Sequence, residues 1–290
     1  MKKHFVTTCI ILFCSLTVCA LPLPHRMFIW EGVDGMQTER SVLESFIPQN
    51  PNGTAVIVCP GGSYHHLDLN KEGRTTAQWF AQQGVTAFVL QYRTAKDGYH
   101  APAMQQDLQR AIQLVRENAN EWNLNPDKIG LIGFSAGGHL VAWAAEHGND
   151  NLLLELHLFP TVKLNANFVI PVYPVVSMQD TIAHKWSRRS LLGLKPTQEE
   201  KDAWSLELTV SDSMPPVYLV ACKDDPVVQY ENSVVFFKAL LQKKVDVTFA
   251  SYEWGGHGFG MADTAFMRAF NWNEALRIWL CSHGFIQGPF

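Results

Sequence analysis

Apolar residues in this chain occur in two patterns: short continuous runs, and longer stretches in which they recur every three or four positions. A continuous run rich in β-branched residues is typical of a strand buried on both faces of a sheet, and the wider spacing is typical of an amphipathic helix. Strands that alternate with helices predict βαβ units and a mainly parallel sheet. The predicted core strands are 54–59, 86–91, 129–132, 168–173 and 216–222, with an edge strand at 246–252.

Two further segments complete the predicted α/β fold. Strand-like runs at 27–30 and 41–47 flank a turn that contains Gly32 and Gly35, which indicates an antiparallel start to the sheet. A mixed segment at 177–215 shows little strand pattern, so we expect a small cap-like insertion at the carboxyl edge of the sheet, where ligands enter open α/β folds. The result is a central sheet of about eight strands with helices on both faces. The predicted helices are 72–83, 101–120, 139–147, 229–243 and 265–282.

The first twenty residues have the composition of a secretory signal peptide. Two lysines near the start, an apolar run at 5–18 and a small-residue ending predict cleavage after Ala20. The apolar run is shorter than a helix that spans the hydrocarbon core of a bilayer, so no stable membrane insertion is expected. We expect an exported protein, periplasmic or secreted, whose mature chain is a single domain at 21–290. Lipidation of Cys19 is the alternative, disfavoured by the bulky residue before it.

Composition and charge narrow the classes of function. A content of 47% hydrophobic and 17% charged residues is ordinary for a soluble globular protein and argues against disorder or several membrane spans. Removing the two leader lysines from the 23 basic residues leaves 21 against 27 acidic ones, a formal charge of −6, so no nucleic-acid partner is expected. Three cysteines remain in the mature chain, an odd number that disfavours a disulfide framework. They are Cys59, Cys222 and Cys281.

The strongest motif is Gly133-Phe-Ser-Ala-Gly137, which joins a predicted strand to a predicted helix. A turn this sharp needs small residues on both sides of its apex, and it projects Ser135 outward over a helix N-terminus that favours developing negative charge. The pattern predicts a nucleophilic serine. The alternative is a small-residue turn without chemistry, which the position between strand and helix disfavours.

Candidate partners for this serine occur after two later strands. A serine hydroxyl needs an imidazole to take its proton and a carboxylate to orient that imidazole. His257 lies in a glycine-rich loop after the last predicted strand, and Asp224 and Asp225 follow the strand at 216–222. Because each follows a predicted strand, the topology brings them to one sheet edge with Ser135. The order Ser, Asp, His is the one expected of α/β hydrolases, and on composition alone either aspartate fits the acid role.

A third loop offers backbone donors for an oxyanion. Gly62 and Ser63 follow the predicted strand at 54–59 and allow the backbone to turn its N–H groups toward a ligand. With the N–H of Ala136 they are the predicted oxyanion hole, and a plain β-turn is the alternative. The two histidines that follow show no metal-ligand spacing, and the chain has no dinucleotide-binding fingerprint, so neither metal nor cofactor is expected.

Taken together, these motifs resemble those of secreted bacterial α/β-hydrolase esterases of the acetyl xylan esterase-like group, related to the hormone-sensitive-lipase-like hydrolases. The resemblance implies an α/β-hydrolase fold, selects Asp225 rather than Asp224 as the acid, and supports Gly62 as an oxyanion donor. Ser63 stands where many relatives have a third glycine. The stretches that carry the resemblance are 60–64, 92–93, 133–139, 224–228 and 255–259.

The resemblance also implies a reaction. It is the hydrolysis of small acyl esters, with O-acetyl groups on plant polysaccharide or oligosaccharide as the leading substrates. Feruloyl, aryl and alkyl esters stay open, as does a serine exopeptidase of the prolyl-oligopeptidase kind, whereas a non-enzymatic binding module would need a broken triad. The oligomeric state is not indicated. Candidate substrate-binding residues are Tyr64 in the oxyanion loop, and Trp186 and Trp204, whose rings suit either stacking on a sugar or aryl ring or packing the insertion down.

Overall fold

Eight strands form one sheet in the computed structural model, which describes residues 25–288. Their order across the sheet is β1-β2-β4-β3-β5-β6-β7-β8. The first two pairings, β1 with β2 and β2 with β4, are antiparallel, and the others are parallel. The predicted fold class, with its antiparallel start, is therefore confirmed. The strands are β1 (Arg26–Phe28), β2 (Val42–Phe46), β3 (Ala55–Cys59), β4 (Thr86–Gln91), β5 (Ile129–Phe134), β6 (Phe168–Val172), β7 (Val217–Cys222) and β8 (Val247–Tyr252).

Helices cover both faces of the sheet, as the apolar runs of the central strands require. Residues of α2, α3 and α7 form one hydrophobic cluster with one face of the strands, and residues of α1, α8 and α9 form a second cluster with the other face. The helices are α1 (Thr75–Gln82), α2 (Ala103–Glu117), α3 (Ala136–Glu146), α4 (Lys185–Leu192), α5 (Gln198–Ala203), α6 (Leu206–Thr209), α7 (Glu231–Gln242), α8 (Ala265–Phe270) and α9 (Trp272–Ser282).

The sequence prediction of one closing helix at 265–282 is wrong. Asn271 adopts a left-handed conformation, with φ of 48°, and separates α8 from α9. Asparagine tolerates this region better than most residues, so it ends a helix that the apolar spacing alone would continue. The predicted helix at 72–83 likewise begins differently, as a π-helical turn at Leu69–Arg74 that runs into α1.

The insertion at 177–215 contains three short helices, α4, α5 and α6. The start of α5 is fixed by a capping box, in which Thr197 accepts from the Glu200 N–H and the Glu200 carboxylate accepts from the Thr197 N–H. The capping box compensates for the absence of buried residues in α5, whereas α4 and α6 begin without a side-chain cap. The insertion thus forms an ordered cap beside the sheet.

The N-terminal predictions concern residues that the structure does not describe. The signal peptide at 1–20 and Cys19 lie outside residues 25–288. Within the described range, every helix is too short or too polar to cross a lipid bilayer. The described cysteines Cys59, Cys222 and Cys281 are free thiols.

Candidate active site

Ser135 lies at the apex of the turn between β5 and α3. Its backbone is strained, with φ of 54° and ψ of −116°, a conformation that costs about 1–3 kcal/mol in a non-glycine residue. The two flanking glycines are sterically required. A Cβ on Gly133 would overlap the carbonyl of Gly137, and a Cβ on Gly137 would overlap the carbonyl of Cys59. The chain therefore holds the Ser135 hydroxyl at the carboxyl edge of the sheet.

His257 connects Ser135 to Asp225. The His257 Nε2 atom lies 2.9 Å from Ser135 Oγ, and its Nδ1 atom lies 2.6 Å from Asp225 Oδ2. The other carboxylate oxygen of Asp225 accepts from the N–H groups of Val227 and Val228, which fixes the orientation of the carboxylate. An imidazole held in this way is ready to accept a proton on Nε2.

The two adjacent aspartates have different partners. Asp224 accepts from the backbone N–H of Gly256, next to the histidine, at 2.8 Å. Asp225, in contrast, bonds the imidazole directly and is buried on its side-chain atoms. The geometry therefore gives Asp224 a role in shaping the His257 loop and gives Asp225 the contact with the ring.

The loop after β3 has an unusual backbone conformation that frees its N–H groups. Gly62 has φ of 128° and Ser63 has φ of 57°. A Cβ on Gly62 would overlap the carbonyl of His66, so glycine is required there. Among residues 25–288, no protein group accepts a hydrogen bond from the N–H of Gly62, Ser63 or Ala136. All three predicted oxyanion donors are therefore uncommitted in the described part of the chain.

The side chain of Glu72 links this loop to the loop that carries His257. One carboxylate oxygen accepts from the Gly61 N–H at 2.7 Å, and the other accepts from the Tyr173 hydroxyl at 2.8 Å. Tyr173 in turn accepts from the Gly260 N–H at 3.1 Å, and its ring lies 4.6 Å from the His257 ring. Burial raises the pKa of Glu72, whereas the hydrogen bonds from Tyr173 and Gly61 oppose that rise. The sequence analysis did not identify Glu72, because an acidic residue at the start of a predicted helix is indistinguishable from an ordinary solvated one.

The prediction that Tyr64 contacts substrate is wrong. Its side chain is fully buried, and its hydroxyl donates to Nδ1 of His139 at 2.9 Å. His139 Nε2 lies 2.9 Å from the carbonyl oxygen of Trp204, which can only accept, so the proton of the neutral ring is on Nε2. Burial lowers the pKa of His139 to about 4. Tyr64 therefore fixes the oxyanion loop to the protein core through its hydrogen bond to the neutral imidazole of His139.

The two tryptophans of the insertion have different environments. Trp204 stacks on Trp143 of α3, with ring centroids 5.9 Å apart, and so packs the insertion against the core. The side chain of Trp186 is 49% exposed, and its ring lies 5.5 Å from that of His65 and 6.0 Å from that of His66. Trp186 alone of these two is placed beside the oxyanion loop with a face open to solvent.

No metal site is formed by the described residues. Within 25–288, no group of three or more histidine, cysteine, aspartate or glutamate side chains is placed to hold an ion. The arrangement at the sheet edge therefore consists of a serine, an imidazole, a carboxylate and uncommitted backbone donors.

Comparison with known proteins places this chain in a family. Residues 43–240, more than half of the chain, match the BD-FAE family. This chain belongs to the BD-FAE family. It is also 31% identical to the acetylxylan esterase of Xylanibacter ruminicola over 219 residues, 74% of this chain and 43% of that protein. With endo-1,4-beta-xylanase B of Butyrivibrio fibrisolvens it shares 33% identity over 222 residues, 76% of this chain and 34% of that protein. The chain thus spans less than half the length of these two relatives.

A solved structure covers nearly the whole chain. The acetyl ester-xyloside bifunctional hydrolase from Caldicellulosiruptor lactoaceticus superposes with a TM-score of 0.79 at 31% identity, covering 92% of this chain and 98% of that one. The similarity to α/β-hydrolase esterases predicted from the motifs is therefore confirmed for fold and family.

The two hydrogen bonds that Glu72 accepts lead to a prediction about kcat. Glu72→Gln places an amide N–H₂ against one of two donors, the Gly61 N–H or the Tyr173 hydroxyl, and so loosens one of the two loops. We expect kcat for p-nitrophenyl acetate to fall about 10- to 100-fold with little change in KM, because displaced groups weaken transition-state contacts most. Steady-state kinetics measure the split between the two constants.

The matched control is Glu44→Gln. Glu44 is also a largely buried carboxylate, but it pairs with Arg74 and contacts neither loop. Its replacement should lower the melting temperature without a selective loss in kcat. If Glu72→Gln affects only the melting temperature, the link through Glu72 has no role in positioning the two loops.

Proposed function

We propose that this protein is a serine esterase that removes short acyl groups, above all O-acetyl groups, from plant polysaccharide or oligosaccharide. The observation that carries the proposal is the hydrogen-bonded series Ser135, His257 and Asp225, with separations of 2.9 and 2.6 Å, next to three uncommitted backbone N–H groups. A nucleophile, a base, an orienting acid and an oxyanion site are the groups that acyl transfer requires.

In the proposed acylation step, Ser135 Oγ attacks the ester carbonyl carbon while its proton passes to His257 Nε2. The carbonyl oxygen becomes an oxyanion and accepts from the N–H groups of Ala136 and of Gly62 or Ser63. The C–O bond to the alcohol then breaks, and the alkoxide leaves with the proton from His257. Asp225 stabilises the transient imidazolium and keeps its ring in place.

Deacylation repeats these steps with water as the nucleophile. Water gives one proton to His257 Nε2 and attacks the acyl-serine carbonyl carbon, and the second oxyanion uses the same donors. Collapse breaks the bond to Ser135 Oγ, which regains the proton, and releases the carboxylic acid. No metal or cofactor enters these steps, because the triad supplies every proton transfer.

The relatives and the insertion support an acetylated saccharide as substrate. Two similar proteins are named acetylxylan esterase and acetyl ester-xyloside bifunctional hydrolase. Of the exposed large apolar residues of the insertion, Trp186 and Leu194 line one groove, and Leu208 is not part of its lining. The exposed apolar surface of the insertion is therefore small and lies among polar and charged side chains. A lid that meets lipid would present a contiguous apolar face instead.

A series of acyl chain lengths tests this proposal. We expect kcat/KM for p-nitrophenyl esters to fall from acetate to octanoate, because the largely polar cap offers long chains no extended apolar surface. A lipase would gain about 0.8 kcal/mol for each buried methylene group and show the opposite trend. Feruloyl esters and a dipeptide amide serve as comparison substrates. Rates that rise with chain length would favour a lipase, and efficient amide cleavage would favour the exopeptidase alternative.

For cellular location, we propose export to the periplasm or the medium after cleavage behind Ala20. Production of the full sequence with its leader, followed by intact-mass measurement, tests this. A mature protein that begins at Leu21 supports it, whereas a lipid-modified chain that begins at Cys19 and fractionates with membranes would replace it with the lipoprotein alternative.

A further inference from the structure

A groove of about 560 Å³ lies beside the oxyanion loop, between that loop, the segment after β4 and helix α4. Its polar lining comes from His65, His100, Arg189 and Ser190, and the ring of Trp186 forms part of its wall. The lining contains no aspartate, glutamate, asparagine or glutamine. Ala95, Gly193 and Leu194 complete the lining. The groove therefore combines apolar surface with one cation, Arg189, and its lining residues carry no carboxylate.

The groove adjoins the reacting centre. His65 is only two residues beyond Ser63, so their Cα atoms are at most about 7.6 Å apart. The Trp186 ring lies 5.5 Å from the His65 ring, on the side of the loop where the insertion packs. The groove therefore begins on the same loop as the oxyanion donors, within reach of the alcohol portion of an ester bound at Ser135.

The cation in this groove has no partner in the described chain. Arg189 is exposed on the last turn of α4, and among residues 25–288 no carboxylate pairs with its guanidinium. Its neighbour Arg188 is instead neutralised by Asp180 at 2.6 Å. Lys185 and Lys195, on either side of Arg189 in the chain, are also exposed and lack an ion pair within the described range. This is a local positive surface on a chain whose formal net charge is −4.

Imidazole and hydroxyl groups both donate and accept hydrogen bonds, so they suit the hydroxyl groups of any sugar, and Arg189 is the group of the lining that distinguishes an acidic sugar from a neutral one. The planar guanidinium of arginine matches a carboxylate, which it binds through two parallel hydrogen bonds. A flat, half-exposed indole suits the apolar face of a sugar ring. The groove therefore fits a saccharide that carries an acid group better than a neutral one.

We propose that this groove binds an acidic saccharide, with Arg189 pairing with a uronic acid carboxylate and Trp186 stacking on the sugar ring. This proposal rests on the proposed esterase function. It identifies the alcohol portion of the substrate as an oligosaccharide that carries a uronic acid branch. Arg189 thereby selects among acetylated substrates without taking part in the bond-breaking steps.

Binding of an unacetylated ligand tests the groove independently of catalysis. The wild-type protein is titrated calorimetrically with a xylo-oligosaccharide that carries a uronic acid branch and with the same backbone without it. At low salt we expect the acidic ligand to bind about tenfold more tightly, as an exposed charge-assisted pair allows. Arg189→Gln should make the two dissociation constants equal, and Arg189→Lys should keep part of the preference.

The matched control is Lys243→Gln. Lys243 is an exposed cation that follows α7, the helix that returns the chain from the carboxyl edge of the sheet to the start of β8 at the opposite edge. This variant should keep the wild-type ratio of dissociation constants, and unchanged melting temperatures should accompany both substitutions. Equal binding of the two ligands by the wild type, or a preference that survives in Arg189→Gln, would overturn the proposal.

Kinetic measurements on acetylated substrates distinguish the groove proposal from the proposed esterase function. On acetylated forms of the same oligosaccharides, kcat/KM should favour the acidic substrate in the wild type, and the ratio should fall to about one in Arg189→Gln. Failure to hydrolyse any ester, with the binding preference intact, would refute the proposed esterase function but retain the groove as an acid-sugar site. Hydrolysis of both substrates at equal kcat/KM would retain the esterase and refute the selection by Arg189.

Discussion

Ser135→Ala is expected to lower kcat for p-nitrophenyl acetate by about 10⁵- to 10⁶-fold, as loss of a triad nucleophile does in serine hydrolases. The substitution removes the hydroxyl that lies 2.9 Å from His257 Nε2 and leaves no cavity, because the hydroxyl faces the site and not the core. The free energy of unfolding should change by less than about 1 kcal/mol.

Turnover and thermal unfolding, measured on the same preparation, distinguish catalytic loss from misfolding. Ser213→Ala, which alters an exposed serine outside the site, is the matched control and should behave as the wild type in both assays. A Ser135→Ala protein that retains turnover near the wild-type rate would show that another group is the nucleophile.

Asp225→Asn is expected to lower kcat by about 10⁴-fold, whereas Asp224→Asn should cost far less. In the Asp225→Asn protein, the carbonyl oxygen of the new side chain can still accept from the N–H groups of Val227 and Val228, so the loop should keep its shape. The amide N–H₂ group then faces His257 Nδ1 as a donor and forces the proton of the imidazole onto Nε2. In that tautomer the ring cannot accept the proton of Ser135.

The pair of variants is its own control, since the two aspartates are adjacent and carry the same charge. Asp224 contacts only the backbone beside the histidine, so the amide that replaces its carboxylate should retain that hydrogen bond through the carbonyl oxygen. Measurement of kcat for both variants decides the assignment, and a larger loss in Asp224→Asn would give it the acid role.

The strands and the sharp turn at Ser135 could be predicted from sequence because they depend on local constraints. Continuous β-branched runs identify strands such as β3 and β7 nearly to the residue. The glycines around Ser135 identify the turn, since only residues without a Cβ avoid the overlaps found there. Parallel topology then brings the ends of separate strands to one edge, which is why His257 and the pair Asp224 and Asp225 could be associated with Ser135 from the chain order, whereas the choice of Asp225 came from the family resemblance.

Features that depend on which side chain turns inward could not be predicted. Tyr64 follows the oxyanion glycines, but its φ of 58° directs it into the core instead of toward the site. Glu72 is one acidic residue among several on a helical stretch. Its contacts with two loops depend on the π-helical turn that buries its side chain. The break at Asn271 depends on a single left-handed residue that the apolar spacing does not indicate.

The buried, neutral imidazole of His139 makes the free energy of unfolding depend on pH. A histidine in the unfolded chain takes up a proton near pH 6.5, but burial lowers the pKa of His139 to about 4, so the unfolded state binds more protons between these values. Its contribution to stability is complete above about pH 6.5 and declines as the pH falls toward 4, by up to about 3 kcal/mol. Because the imidazole stays neutral in the folded state down to about pH 4, its bonds to Tyr64 of the oxyanion loop and to the Trp204 carbonyl of the insertion persist over this range. Acidification therefore lowers the free energy of unfolding while the loop and the cap remain joined.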